Sequence, residues 1–416
     1  MAPGKKRKSP SKSSSSRRGS KSRNPNAMKT GGQSAAQSAP SATVNGDPAS
    51  TRKRVDFSSV SLLDAAFSEC GEWLAVTSTF GGVMAWNMPA YTSSSSRVWG
   101  NEDEEENADS ENATSKMTFG FQAHGAAVNA LAISKDVMVT GGDEEMRIWS
   151  LPWKENNENG ARMISEITVP QHRGFRGALS QVAEVNGISL DDAGRRVYAA
   201  AGDSNAYCWD VETGAVLDTF QGHHDYLQCV VLLEHSSMLA TGSEDGTVKL
   251  WDLRASGKNA ISTMRLSPID DEDAVVMCAA ASSSEDWLAF GGSVGGANGM
   301  MKCCHVASRK VFSSTPMDAF STVQDVKYAR EGGVVAVGDA PEMLTWTIDG
   351  TRLTRRVATS SPSVYAFAQH VGGSKDGNNF PGCSVAVGAS PLVDVYADPC
   401  SRAFSFRYDY YYTGTK

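Results

Sequence analysis

The segment TGSEDGTVKLWDLR, Thr241 to Arg254, decides the fold. Its centre is an acidic-glycine turn of the kind that joins two antiparallel strands, and TVKLWD after it alternates with the period of a strand. A turn followed by a strand is common, so the weight falls on whether the unit recurs. Aligned on Trp251 of GTVKLWDL are GGVMAWNM at Trp86, EEMRIWSL at Trp149, SNAYCWDV at Trp209 and PEMLTWTI at Trp346. Two worn copies, GMMKCCHV and PLVDVYAD, place Cys304 and Tyr396 in the same slot. Seven units follow, 42 to 63 residues apart, and self-similarity at such a period is the mark of a repeat architecture.

A second series of strands accompanies the first. GEWLAVTS (71–78) and EDWLAFGG (285–292) are plainly related, and DVMVTGGD, RVYAAAGD, SMLATGSED, GVVAVGDA and CSVAVGAS complete the set. Apolar runs between Gly-rich turns suit strands buried between neighbouring sheets, and each unit is expected to begin with one. No convincing amphipathic helix interrupts the pattern. An acid stands six residues before the tryptophan in three units, as Asp143, Asp203 and Asp245.

These residues resemble WD repeats, the four-stranded blades of β-propellers. The resemblance implies an all-β, seven-bladed propeller over about residues 55–411. It also implies a hydrogen-bonded tetrad of His223, Thr241, Asp245 and Trp251, and a second of His124, Thr140, Asp143 and Trp149. Buried carboxylate and imidazole groups need partners, and an indole N–H reaching them through a hydroxyl supplies one. The third unit has Ala200 in the hydroxyl position and retains only Asp203 and Trp209, so packing alone is expected to hold that blade. A propeller has no open edge when its two ends share a blade; either Arg54 to Val60 or Arg402 to Tyr408 is expected to supply the outermost strand of the last one.

Charge divides the chain. Of the 39 Lys and Arg residues, 13 lie in positions 1–54 beside one acid, Asp47, a balance of +12. The remaining 26 face 46 acids, so the body carries −20. Almost no large apolar side chain precedes Val55, and such a Ser-, Lys- and Arg-rich tail is expected to be disordered. Lys5, Lys6, Arg7 and Lys8 form a compact cluster that resembles a nuclear import signal. An acidic body argues against a nucleic-acid groove on the folded part, so a weak RNA contact is assigned to the tail. Residues 91–116, with four consecutive serines and then NEDEEENADSEN, read as a surface loop inserted in the fold, followed by the short tail 412–416 at the other end.

Catalytic chemistry finds no support. There is no Gly-x-Ser-x-Gly, no Walker-type Gly-Lys-Ser/Thr and no His-Glu-x-x-His, so no enzyme, cofactor or small-molecule substrate is expected. Adjacent His223, His224 and Asp225 point apart on a turn and do not suit a metal. Cys303, Cys304 and His305 read as a worn strand, and the eight scattered cysteines as reduced thiols. No apolar run approaches the roughly 18 residues that a bilayer requires, so no membrane role is expected.

Within the propellers, residues 55 to 408 resemble the THO complex subunit 6 family. FQAHGAAVNAL with TGGDEEMRIWSL, GHHDYLQC leading to GSEDGTVKLWDLR, and the closing VDVYADPCSRAFSF carry that resemblance. It implies a non-enzymatic nuclear scaffold, partnered by other THO complex subunits, in an assembly coupling transcription to mRNA processing and export. A different resemblance lies in Trp251, Asp252, Leu253 and Arg254, which fit the W-D-x-R box of propellers that dock on the DDB-type adaptor of cullin ubiquitin ligases. Arg254 is then the partner-binding candidate, its planar guanidinium suited to a partner carboxylate. The plain alternative is a solvated arginine at a blade edge.

Overall fold

The computed structural model describes residues 60–88, 118–142, 145–154, 161–171, 182–255, 259–269, 272–329, 332–370, 383–398 and 401–408. The basic tail with Lys5, Lys6, Arg7 and Lys8, the acidic insertion, the C-terminal 412–416 and Asp143 lie outside them.

Within the described residues every element is a strand, and the strands form seven four-stranded antiparallel sheets. Each sheet is one blade of four consecutive strands. The blades occupy 62–122, 128–168, 185–221, 227–265, 274–316, 323–358 and 364–407. The aligned aromatic slots all fall on the third strand of a blade, as with Trp251 in Thr247–Asp252. Opposite Trp251 across the ladder stands Leu239, and Val334 stands opposite Trp346 in the same register.

Seven hydrophobic clusters hold the ring, one at each seam between neighbouring blades. The slot residue always packs toward the preceding blade. Trp251 joins Tyr198 and Phe220 of blade 3, and Trp149 joins Ala75 and Val83 of blade 1. Where the slot is worn, the neighbours refill the volume: beside Cys304, Leu288 and Phe290 are fully buried in the seam with blade 4. A two-sided burial of this kind explains the near-continuous apolar runs of the second strands, since both faces of each sheet are covered.

The first strand of each blade is the element that the sequence pattern did not reveal. GEWLAVTS and its relatives lie on second strands, not first, as Trp73–Ser78 shows; blade 1 begins with Leu62–Phe67 instead. These first strands line the axis, and each contacts its counterpart in the adjoining blades around a closed circuit. In all seven the pairing with the second strand skips a position, for example between Val128 and Ala130 or between Val323 and Asp325. A bulge shifts the alternation by one residue, and that is why a period-two search passes over these strands.

Closure uses one of the two segments expected. Among the described residues no blade is shared between the two ends: blade 7 has four strands from 364–407, with Ser401–Arg407 outermost. Of the two candidate segments, the C-terminal one supplies that strand, while residues 54–59 lie outside the described part. The ring closes face to face. Phe406 and Tyr408 approach Trp86 of blade 1 in edge-on geometry, with ring centroids 5.0 and 6.0 Å away. Tyr408 and Ser78 share a hydroxyl contact of 3.3 Å across the same seam. Opposite it, Gly71 turns with φ of +71° directly against the His370 ring, where any Cβ would collide.

Candidate functional site

In blade 4 the polar chain runs without a gap. Trp251 Nε1–H donates to Thr241 Oγ1 at 2.9 Å, and Thr241 and His223 Nε2 lie 2.8 Å apart. His223 Nδ1 is 2.8 Å from Asp245 Oδ2. An indole can only donate and a carboxylate can only accept, so the direction follows: Thr241 gives its proton to Nε2, and Nδ1–H points at Asp245. Burial pushes the Asp245 carboxyl up, but hydrogen bonds from His223, Thr247 and the His224 amide hold it far below the usual carboxylate range. His223 and Thr241 are buried, and neither is open to a ligand. The arrangement fastens the turn at 243–246 to the sheet.

Blade 2 repeats half of this chain. Trp149 Nε1 donates to Thr140 Oγ1 at 2.9 Å, and Thr140 reaches His124 Nε2 at 2.8 Å. Glu145 Oε1 lies 3.8 Å from His124 Nδ1. Burial, reinforced by the nearby Arg147 guanidinium, pushes the His124 imidazole down to about 4. The folded state therefore resists a proton that the unfolded chain takes up near 6.5, and stability present above 6.5 drains as the pH falls toward 4. Between pH 7 and pH 5 this single group is expected to remove about 2 kcal/mol, read from urea unfolding at each pH. In His124→Gln that difference should shrink; an unchanged difference would place the sensitivity elsewhere.

Blade 3 corrects a sequence expectation. Packing is not alone there, because the Tyr207 hydroxyl donates to Asp203 Oδ2 and Asn205 Nδ2 adds a bond of 3.1 Å to the same oxygen. With Ala200 unable to bridge, the phenol of Tyr207 takes the turn carboxylate instead. Blade 6 has neither solution: the register sets Ala336 in the hydroxyl position, and the buried Trp346 Nε1 has no partner.

Arg254 stands at the end of the third strand of blade 4 with 70 % of its side chain exposed. Its Nε and Nη2 donate to Asp252 Oδ1 and Oδ2 at 3.0 and 3.1 Å. The fork is thus closed on a carboxylate two residues away, and solvent screens the pair. Arg254→Ala is expected to leave the melting temperature unchanged, and a drop of more than about 2 °C would show a structural role.

Several polar side chains on first strands escaped the sequence reading. Asp64 Oδ2 accepts the Leu131 amide of blade 2 at 2.8 Å, and Asp325 Oδ2 accepts the Phe367 amide of blade 7 at 3.0 Å. Lys327 Nζ lies 3.5 Å from Asp325 Oδ1. The signal was present: an acid interrupts the otherwise apolar LLDAAF, and Asp325 of VQDVKY stands between the buried Val323 and Val326. Glu285 does similar work at a rim, its carboxylate accepting the His235 and Ser236 amides of blade 4 at 3.0 and 2.7 Å. Among the described residues no cluster of His, Cys, Asp and Glu is arranged to hold a metal, and no helix is long and apolar enough to cross a membrane.

Residues 214–252, the unit with the complete tetrad, match the WD domain, G-beta repeat family. Over 284 residues, 64% of this chain and 69% of the relative, the sequence is 32% identical to THO complex subunit 6 of Arabidopsis thaliana. The chain belongs to the THO complex subunit 6 family. THO complex subunit 6 of Homo sapiens is 26% identical over 84% of this chain and 93% of its own length. The Danio rerio homologue of THO complex subunit 6 is 21% identical over 85% and 99%. Matches of that span cover most of the relatives' length, so family membership rests on far more than one repeat.

Proposed function

We propose that this chain is a non-catalytic scaffold subunit of a THO-type complex, acting in the nucleus where transcription is coupled to mRNA processing and export. The observation that carries the reading is family membership across the full ring, on a fold whose polar networks are spent internally. The blade 4 tetrad ties its turn to the sheet and the first-strand acids tie blade to blade, which leaves rims and loops as the surfaces for other THO subunits. The basic tail adds nuclear targeting through Lys5, Lys6, Arg7 and Lys8, and a weak RNA contact resting on its charge of +12.

Affinity purification of the tagged chain from nuclear extract, read by mass spectrometry, tests the assembly. Other THO subunits at stoichiometric yield are expected; their absence would overturn the reading. Recovery of a cullin-ligase adaptor that disappears in Arg254→Ala would establish the W-D-x-R alternative, for which Arg254 must first release Asp252. Removing residues 1–54 should abolish any RNA retention at low salt while leaving the co-purifying subunits in place.

A further inference from the structure

The axis of the ring encloses a cavity of about 440 Å³ to which all seven first strands contribute. That volume falls in the range of side-chain and small-ligand sites. The residues that line it are not random. Every position skipped by a first-strand bulge faces it, including Asn129, Asn186, Gln228 and Gln324, with Met277 and Tyr365 completing most of the circle. Bulges re-aim side chains, and here they set four carboxamide residues along one lining; Asn186 Nδ2 donates to the Leu227 carbonyl at 3.0 Å and Gln228 Nε2 to Glu244 Oε1 at 2.7 Å, which leaves the carboxamide oxygens as acceptors.

Charge in this chamber does not balance. Its charged lining residues are Asp64, Asp325 and Lys327, a net of −1. Lys327 sits beside Asp325, at 3.5 Å. Asp64 has no cation at ion-pairing distance among the described residues; its oxygens take the Leu131 and Ala65 amides, each at 2.8 Å, and a carboxylate oxygen has room for a second donor. Burial pushes the Asp64 carboxyl up to about 6, and the opposing charge of Lys327 offsets only part of that rise. Solvent reaches the space, since Lys327 keeps 46 % of its side chain accessible.

A bare metal ion does not suit such a site, because among the described residues no three His, Cys, Asp or Glu side chains converge. A guanidinium does: it is planar, always charged, and spreads five N–H donors toward oxygens on several sides, where an ammonium presents a compact point. We propose that the axial chamber binds an arginine side chain presented by an extended segment of a partner protein, its guanidinium seated against Asp64 and bonded by the surrounding carboxamide oxygens. Asp64 and the carboxamides recognise the charge and the plane of the group, and Met277 lies against its aliphatic stem.

The purified full-length chain suffices for the test, so its outcome is independent of whether THO subunits co-purify. Calorimetric titration with the blocked tripeptide acetyl-Gly-Arg-Gly-amide is expected to show saturable one-to-one binding. The citrulline counterpart, equal in shape and neutral, should bind at least tenfold more weakly, and the lysine counterpart should fall between. Asp64→Asn keeps an acceptor for the Leu131 amide and should weaken arginine binding at least tenfold. Met277→Trp fills the chamber from the side opposite in character and should abolish binding. Absence of binding at millimolar peptide, equal binding of citrulline, or binding unaffected by Met277→Trp would each overturn the assignment. Should Asp64→Asn fail to fold, the citrulline comparison and Met277→Trp decide the matter.

Discussion

Deleting Ser401 to Lys416 is expected to lower the melting temperature by about 10 °C or more, and to make unfolding less cooperative. The deletion strips the outermost strand from blade 7 and removes Phe406 and Tyr408, which are 7 % and 1 % exposed, from the seam with blade 1. Truncating one buried aromatic typically costs about 3 to 5 kcal/mol, and two are lost here, so the total exceeds about 6 kcal/mol before the strand's ladder bonds are considered. Differential scanning calorimetry gives the number. Phe406→Ala and Tyr408→Ala, made singly, should each account for a large share; a full deletion that melted within about 2 °C of the parent would mean that blades 1 and 7 hold each other by other means.

Thr241→Val should cost about 4 kcal/mol, a large loss for so conservative a change. The substitution keeps shape and deletes one hydroxyl, yet that hydroxyl serves two buried groups at once, the Trp251 indole N–H and the His223 imidazole. Each is left unpaired, and a buried unpaired polar group costs roughly 1 to 3 kcal/mol. Urea unfolding of Thr241→Val, Trp251→Phe and the double variant closes a cycle: the two losses should fall well short of adding, because the second removes a donor that the first has already orphaned. A loss below about 1 kcal/mol for Thr241→Val would show that the network is ornamental to stability. Blade 6 supplies the natural comparison, since Trp346 already lives without a partner for its indole N–H.

How much of this was legible depended on whether a residue's role lay within one period of its own strand. The third strands announce themselves because the slot residue, the turn acid and the glycine are fixed by local geometry. His223 and Thr241 were reachable through the resemblance to WD repeats, because they lie within the same blade, 28 and 10 residues before Trp251. The first strands were not, because each carries a bulge that breaks alternation at the residue facing the axis. Asp64 and Asp325 show the limit most sharply. Their partners, the Leu131 and Phe367 amides, lie 67 and 42 residues away in the next blade, and a backbone amide leaves no trace in the sequence. Tyr207 was missed because a phenol four residues after Asp203 replaces the histidine-threonine relay by a route that no repeat pattern encodes.

The way the ring closes has a consequence on the ribosome. Trp86 and Met88 of the first blade are buried only when Phe406 and Tyr408 arrive, about 320 residues later in synthesis. At 5 to 20 residues per second that interval lasts roughly 15 to 60 s, during which a finished blade waits with one greasy flank uncovered. A prematurely terminated product never covers it. Progress of translation is thus inspected by the molecule itself: only a chain made past Tyr408 hides the apolar flank, and exposed apolar surface is what chaperones and proteases act on.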